Sequence, residues 1–126
     1  MAKILIIDDE EPMRHLLKSM LTRDGHEVLV ARDGVEGIKS FYSYNPDLII
    51  TDIIMPIMDG IDVIVELLKV NPNFRIIAIS GGRRSVTADF NLDSAEMLGV
   101  KGVLKKPFTH EQLRHLVELA LSEMVK

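Results

Sequence analysis

The 126-residue chain contains no cysteine. Disulfides, thiolate metal sites and cysteine nucleophiles are therefore excluded, and the composition suits a reducing compartment. No apolar run approaches the roughly 20 residues needed to span a bilayer. The opening run Ile4-Leu5-Ile6-Ile7 is too short for a secretory signal, and no cleavage-site pattern follows it. The expected address is the cytoplasm, without membrane insertion. Positive charge is not in excess either. The 15 basic and 19 acidic residues leave a net charge of −4, a balance that does not call for nucleic acid. Gly34 and Gly37 do not build a G-x-G-x-x-G, and there is no P-loop motif. His15, His26, His110 and His115 show no metal-ligand spacing and are expected to face solvent.

What remains is an ordinary globular composition, 47% hydrophobic and 27% charged. The length fits one domain, residues 1–126, with no room for a second. A chain of this size can bury roughly two thirds of its unfolded surface.

Short apolar runs alternate with helical patterns. Ile4 to Ile7 reads as a strand buried on both faces, and Met13, Leu16, Leu17, Met20 and Leu21 then follow the spacing of one helix face. Gly25 stands where a helix stops, before a second strand, Val28-Leu29-Val30. Asp33 can cap a helix carrying Val35, Ile38, Phe41 and Tyr42, which ends before Asn45-Pro46. Leu48-Ile49-Ile50 is a third strand ending at Thr51-Asp52. A loop with Pro56 and Asp59-Gly60 leads into a helix from about Ile61 to Val70. Ile76 to Ile79 is a fourth strand ending at Ser80. A loop from Gly81 to about Ala88 precedes a helix around Leu92 to Leu98, which stops at Gly99. Gly102 to Lys105 is a fifth strand. Thr109 and Gln112 form a capping box for a last helix with a stripe of Leu113, Leu116, Val117, Ala120, Leu121 and Met124. Five strand–helix units without a linker predict a doubly wound α/β fold with a parallel sheet covered on both faces.

In such a sheet ligands bind outside the carboxyl ends of the strands. Asp8 and Asp9 end the first strand, Asp52 the third, Ser80 the fourth and Lys106 the fifth. Parallel pairing puts all five on one edge. Any one of them alone reads as readily as a helix cap; their convergence is the signal. Three close carboxylates repel one another, and burial adds to the cost. A single lysine does not offset that, whereas a divalent cation can. The ligand set is all oxygen, without histidine or cysteine, which favours a hard ion over zinc; magnesium, with its few carboxylates, retained waters and phosphate oxygens, fits. With Asp52 as nucleophile, Lys106 and the metal opposite the equatorial oxygens, and Ser80 as a hydrogen-bond donor, the set suits phosphoryl transfer.

These residues resemble the receiver domain of bacterial two-component response regulators. The likeness rests on Asp8-Asp9-Glu10 after Ile-Leu-Ile-Ile, on Asp52 in Thr-Asp-Ile-Ile-Met-Pro-Ile-Met-Asp-Gly, on Ser80 and on Lys106-Pro107-Phe108. It runs from residue 3 to about 124. It implies a flavodoxin-like sheet of five strands in the order 2-1-3-4-5. It also implies that Asp52 accepts a phosphoryl group from a histidine kinase or histidine phosphotransfer protein. Asp9 and Asp52 would bind magnesium directly, with Asp8 acting through water and the Ile54 backbone carbonyl as a further ligand. Lys106 would pair with the phosphoryl group across a cis bond to Pro107, and Ser80 would report phosphorylation to the surface. No stretch is left for an output domain, so a stand-alone receiver with an unnamed downstream protein target is expected.

Two departures stand out. The family usually carries an aromatic switch residue three positions before the lysine, and here that position is Val103. The segment between Ser80 and Lys106 is about four residues longer than usual and carries Gly81-Gly82-Arg83-Arg84; its arginines read as a solvated loop or as contacts for a phosphoryl group or an acidic partner. Two other functions compete. A magnesium-dependent phosphatase with an aspartate nucleophile needs a second aspartate two residues after the first, where Ile54 stands. A scaffold without phosphotransfer would not need the full acidic set and Lys106. The reading is therefore regulatory rather than enzymatic. Because Ile54 and Gly82 offer no group to position a hydrolytic water, slow self-dephosphorylation is expected.

Overall fold

A computed structural model describes residues 2–81 and 93–122. Strand β1 (Lys3–Ile7) leads into helix α1 (Glu11–Arg23), β2 (Glu27–Ala31), α2 (Gly34–Tyr44), β3 (Leu48–Asp52), α3 (Gly60–Val70) and β4 (Ile76–Gly81). Residues 93–98 are helical (α4). Then come β5 (Gly102–Lys106) and α5 (His110–Ser122). The five strands are parallel in the order β2-β1-β3-β4-β5. That is the doubly wound, flavodoxin-like topology expected. Leu92, the residues 82–84 of the long segment and Met124 lie outside the described residues.

The continuous apolar runs are explained by the two layers of core. Side chains alternate across a strand, so Leu5, Ile7, Ile49, Ile76 and Ala78 face one side, with Val63, Ile64 and Leu67 of α3 and Ala95 of α4. Ile4, Ile6, Leu48, Ile50, Ile77 and Ile79 face the other, with Leu17 and Leu21 of α1 and Leu113, Val117 and Ala120 of α5. Each fully buried isoleucine or leucine contributes about 1.5–3 kcal/mol, and both halves of the core depend on the central strands.

The helix ends follow their caps. Asp33 accepts the Glu36 N–H at 2.8 Å, and Thr109 and Gln112 exchange the two bonds of a capping box at 3.1 and 2.9 Å. Gly25 has φ +93°, the left-handed turn that closes α1. The helix stripes are narrower than the spacing predicts. Leu16 is 42% exposed, whereas Leu17 and Leu21 are buried and Met13 and Met20 pack partly against the core. Val35 and Tyr42 are likewise exposed, and Ile38 and Phe41 carry the packing of α2. Gly102 opens β5, as the sequence pattern predicts.

Two histidines are not solvent-facing. His110 Nε2 lies 2.9 Å from Asp24 Oδ2, and Arg114 Nε and Nη2 donate to Asp24 Oδ1, both at 3.2 Å. These bonds tie the end of α1 to α5. Burial works against the Asp24 carboxylate, but His110 and Arg114 outweigh it and hold its pKa below the usual range. His26 is half-buried and its Nδ1 accepts the Ala2 N–H at 3.2 Å; burial lowers its pKa. The partners lie far away in sequence, which is why local spacing is silent about them.

Candidate functional site

The parallel sheet delivers the ends of β1, β3, β4 and β5 to one edge. Register places Ile7 opposite Thr51, Asp52 opposite Ile79 and Ser80 opposite Lys105. Polar residues that follow apolar runs at these ends therefore share one site.

Asp8 follows β1 and is 1% exposed. Its backbone is fixed by an N–H donated to Ala31 O at 3.2 Å and by Arg14 Nη1, which donates to Asp8 O at 2.8 Å. Its Oδ1 accepts the Glu10 N–H at 2.9 Å, while Oδ2 is buried without a hydrogen-bond partner. Asp52, the last residue of β3, is 7% exposed and accepts the Ile53 N–H at 3.0 Å. Thr51 Oγ1 donates to the Asp52 carbonyl at 2.9 Å. The start of α3 closes on this strand end: Gly60 N–H donates to Ile53 O at 2.7 Å. Any side chain at 60 would press into the Asp52 carbonyl and the Ile53 Cα, so the position requires glycine. Asp59 caps the helix by accepting the Asp62 N–H at 3.0 Å.

Lys106 reaches in from β5, with a cis peptide bond to Pro107 as the resemblance implies. Its Nζ lies 3.7 Å from Asp52 Oδ1, 3.8 Å from Asp8 Oδ2 and 3.5 Å from Glu10 Oε1. Ser80 is buried at the end of β4, and its hydroxyl has no hydrogen-bond partner. Val103 is half-buried in β5 beside Ala78 and packs on the α2–α3 side of the core. Ile54 is exposed next to Asp52.

The carboxylates that come together are Asp8, Glu10 and Asp52, each with one oxygen within 4.8 Å of the others. Asp9, which is exposed, stands outside that set, although its charge acts on both Asp8 and Asp52. On an extended chain residues i and i+2 share a side. Asp8 and Glu10 do so, and Glu10 has extended backbone at φ −97° and ψ 116°. That period of two is the signal by which Glu10 was findable in the sequence.

Burial, and then the neighbouring Asp8, push the Asp52 carboxyl up to about 7. Burial likewise raises Asp8. For Lys106 burial opposes the charge, but Asp52, Asp8 and Glu10 together raise its pKa. One ammonium thus serves three carboxylates, two of them buried, and the site carries uncompensated negative charge. The donors are all oxygen, and a buried Asp8 oxygen lacks a hydrogen bond. Both features fit a hard divalent cation, and the cluster could hold one.

Comparison with known proteins agrees. Residues 4–118 match the family model described as "Response regulator receiver domain". Chemotaxis protein CheY of Thermotoga maritima is 37% identical over 108 residues, spanning 84% of this chain and 86% of that protein. A response regulator receiver domain protein from Clostridium thermocellum superposes with a TM-score of 0.90 at 32% identity, over 98% of this chain and 97% of the other. Response regulator protein TrrA of Thermotoga maritima, solved in complex with Mg2+ and BeF, gives a TM-score of 0.84 at 32% identity, over 96% and 100% of the two chains. Strand order, the convergence of Asp8, Asp52, Ser80 and Lys106 on one edge, and these likenesses lead to one conclusion: the chain belongs to the response regulator receiver domain family.

Proposed function

We propose that the chain is a phosphoacceptor of a two-component phosphorelay, with Asp52 receiving the phosphoryl group from a histidine kinase or a histidine phosphotransfer protein. An Asp52 carboxylate oxygen forms the new bond to phosphorus. The bond from phosphorus to the donor imidazole nitrogen breaks, and its electron pair stays on the imidazole. The observation that carries this reading is the Lys106 ammonium 3.7 Å from a buried Asp52, with an unpartnered Ser80 hydroxyl at the neighbouring strand end. Lys106 pairs with the phosphoryl oxygens as charge builds on them, and Ser80 donates a hydrogen bond.

Asp52 and Asp8, which come together in the cluster, would hold magnesium; the resemblance adds Asp9, which stands outside that cluster, as a direct ligand, with Asp8 acting through water and the Ile54 carbonyl as a further ligand. The ion's role when bound is to neutralise charge on the equatorial phosphoryl oxygens. The likeness to TrrA, solved with Mg2+ and BeF, and the all-oxygen donor set support this choice of ion.

Each charge-assisted hydrogen bond to the phosphoryl group contributes about 1.5–3 kcal/mol, enough to reverse a two-state balance of a few kcal/mol. The change passes through Ser80 and the aliphatic Val103, without an aromatic ring, to a surface that docks a protein target. The chain thus acts as a regulatory receiver without turnover of exogenous substrate. The match to CheY, over 84% of this chain and 86% of that protein, supports that role; among the described residues no helix is long and apolar enough to cross a membrane.

Intact mass after incubation with magnesium and a small-molecule phosphodonor, beside Asp52→Asn, tests the proposal. A gain of one phosphoryl group that needs both magnesium and Asp52 is expected. No gain in a folded, magnesium-binding protein would instead support a receiver-shaped scaffold without phosphotransfer.

A further inference from the structure

Glu10 occupies the N-cap of α1 but does not cap it: its side chain accepts no bond from the helix. Glutamate is not among the preferred N-cap residues. The carboxylate reaches instead to the far side of the site, where its Oε1 is 3.5 Å from Lys106 Nζ, shorter than either aspartate contact. It is 54% exposed, while Asp8 and Asp52 are buried, so it draws the ammonium toward the mouth as the aspartates draw it inward.

We propose that Glu10 is a positioning residue that holds Lys106 at the outer edge of the site before phosphorylation and competes for it afterwards. The inference rests on the phosphoacceptor reading and deepens it. A new phosphoryl group on Asp52 requires the same ammonium, which already donates to Glu10 at 3.5 Å and lies within 3.8 Å of Asp8 and Asp52. Pairing with Glu10 is therefore a contact that phosphorylation must give up. Removing the carboxylate frees Lys106 for the incoming group.

The test is a double-mutant cycle on the rate of phosphorylation by acetyl phosphate with magnesium, using Glu10→Gln, Lys106→Met and both together. In this reaction an Asp52 oxygen bonds to phosphorus, and acetate leaves with the electron pair of the broken P–O bond. Glu10→Gln is expected to speed phosphorylation roughly two- to fivefold, the size of one half-exposed ion pair. The gain is expected to vanish in the Lys106→Met background. An equal gain in both backgrounds would show that Glu10 acts only by repelling an anionic donor, and would overturn the proposal. So would a loss of rate with weaker magnesium binding, which would make Glu10 a metal ligand. A second readout is the Lys106 ammonium resonance in metal-free buffer at fixed pH. It is expected to shift in Glu10→Gln, and an unmoved signal would overturn the pairing whatever the rates. If wild type itself gains no phosphoryl group while Asp52→Asn behaves identically, the phosphoacceptor reading has failed, and not merely the role of Glu10.

Discussion

At the scale of single residues, the pKa of Asp52 gives a stability prediction with a definite sign. The fold raises this carboxyl from 3.8 to about 7. A raised pKa favours the protonated form in the folded state, so its stabilisation is complete below the unfolded value. It fades as pH rises and is lost through about 7. Above that, an ionised Asp52 sits beside Asp8 at a cost whose ceiling is on the order of 4 kcal/mol, at about 1.36 kcal/mol per unit. Asp52→Asn, neutral and nearly the same shape, is therefore expected to unfold later than wild type at pH 8 in chelator and to lose that advantage only as pH falls below the unfolded value of 3.8. Thermal unfolding at pH 8 and below that value checks this; an Asn variant no more stable at pH 8 would remove Asp52 as a burdened charge. The residues involved were legible to different degrees. Asp8, Asp52, Ser80 and Lys106 interrupt apolar runs, so strand ends alone bring them together. The contacts of Glu10 and His110 are less legible, because an apolar pattern does not say where a polar side chain reaches. Their partners, Lys106 and Asp24, come from distant parts of the chain.

At the scale of elements, the loop between β3 and α3 carries strain that the strands do not. Ile57 has φ +70° and is 90% exposed, an unfavourable backbone for a β-branched residue that buries almost nothing there. Asparagine tolerates the left-handed region, so Ile57→Asn is expected to stabilise the chain by about 0.5–1 kcal/mol. Three residues on, Gly60→Ala is expected to do the reverse by about 2 kcal/mol or more, since its methyl meets Asp52 and Ile53 backbone rather than a yielding side chain. Urea midpoints of the two variants separate these effects. A destabilised Ile57→Asn would show that the isoleucine packs usefully after all. The loop's glycine was readable in Asp59-Gly60, but the handedness at Ile57 was not, because isoleucine is a poor signal for it. Helix limits, by contrast, were legible wherever a cap marked them, as at Asp33, Thr109 and Gly25. Burial was less so: Leu16 keeps the apolar spacing of α1 yet stays outside the Leu17–Leu21 contact, since spacing identifies a stripe but not how much of it the sheet covers.

For the whole molecule, two pH effects of opposite sign meet. The carboxyl of Asp24, which joins the end of α1 to His110 and Arg114 of α5, has a depressed pKa. Its stabilisation is present above the unfolded value of 3.8 and is lost as pH falls through the folded value. With its hydrogen bonds partly open to water, this link contributes about 1 kcal/mol. Asp52 works the other way, losing its contribution as pH rises through about 7. Metal-free protein is therefore expected to be most stable near pH 4, just before Asp52 begins to lose its contribution, with Asp24→Asn lowering the curve above its acid limb and flattening that limb, and Asp52→Asn raising the alkaline side. Magnesium needs deprotonated carboxylates, so its stabilisation grows with pH and opposes the alkaline loss. Melting temperatures from pH 3 to 9, with chelator and with magnesium, are expected to give a dome in the first case. In the second, the upper arm is expected to be raised. A metal-free curve that keeps climbing through pH 8 would contradict the account of the acidic site. Unchanged acid sensitivity in Asp24→Asn would contradict the account of the α1–α5 link.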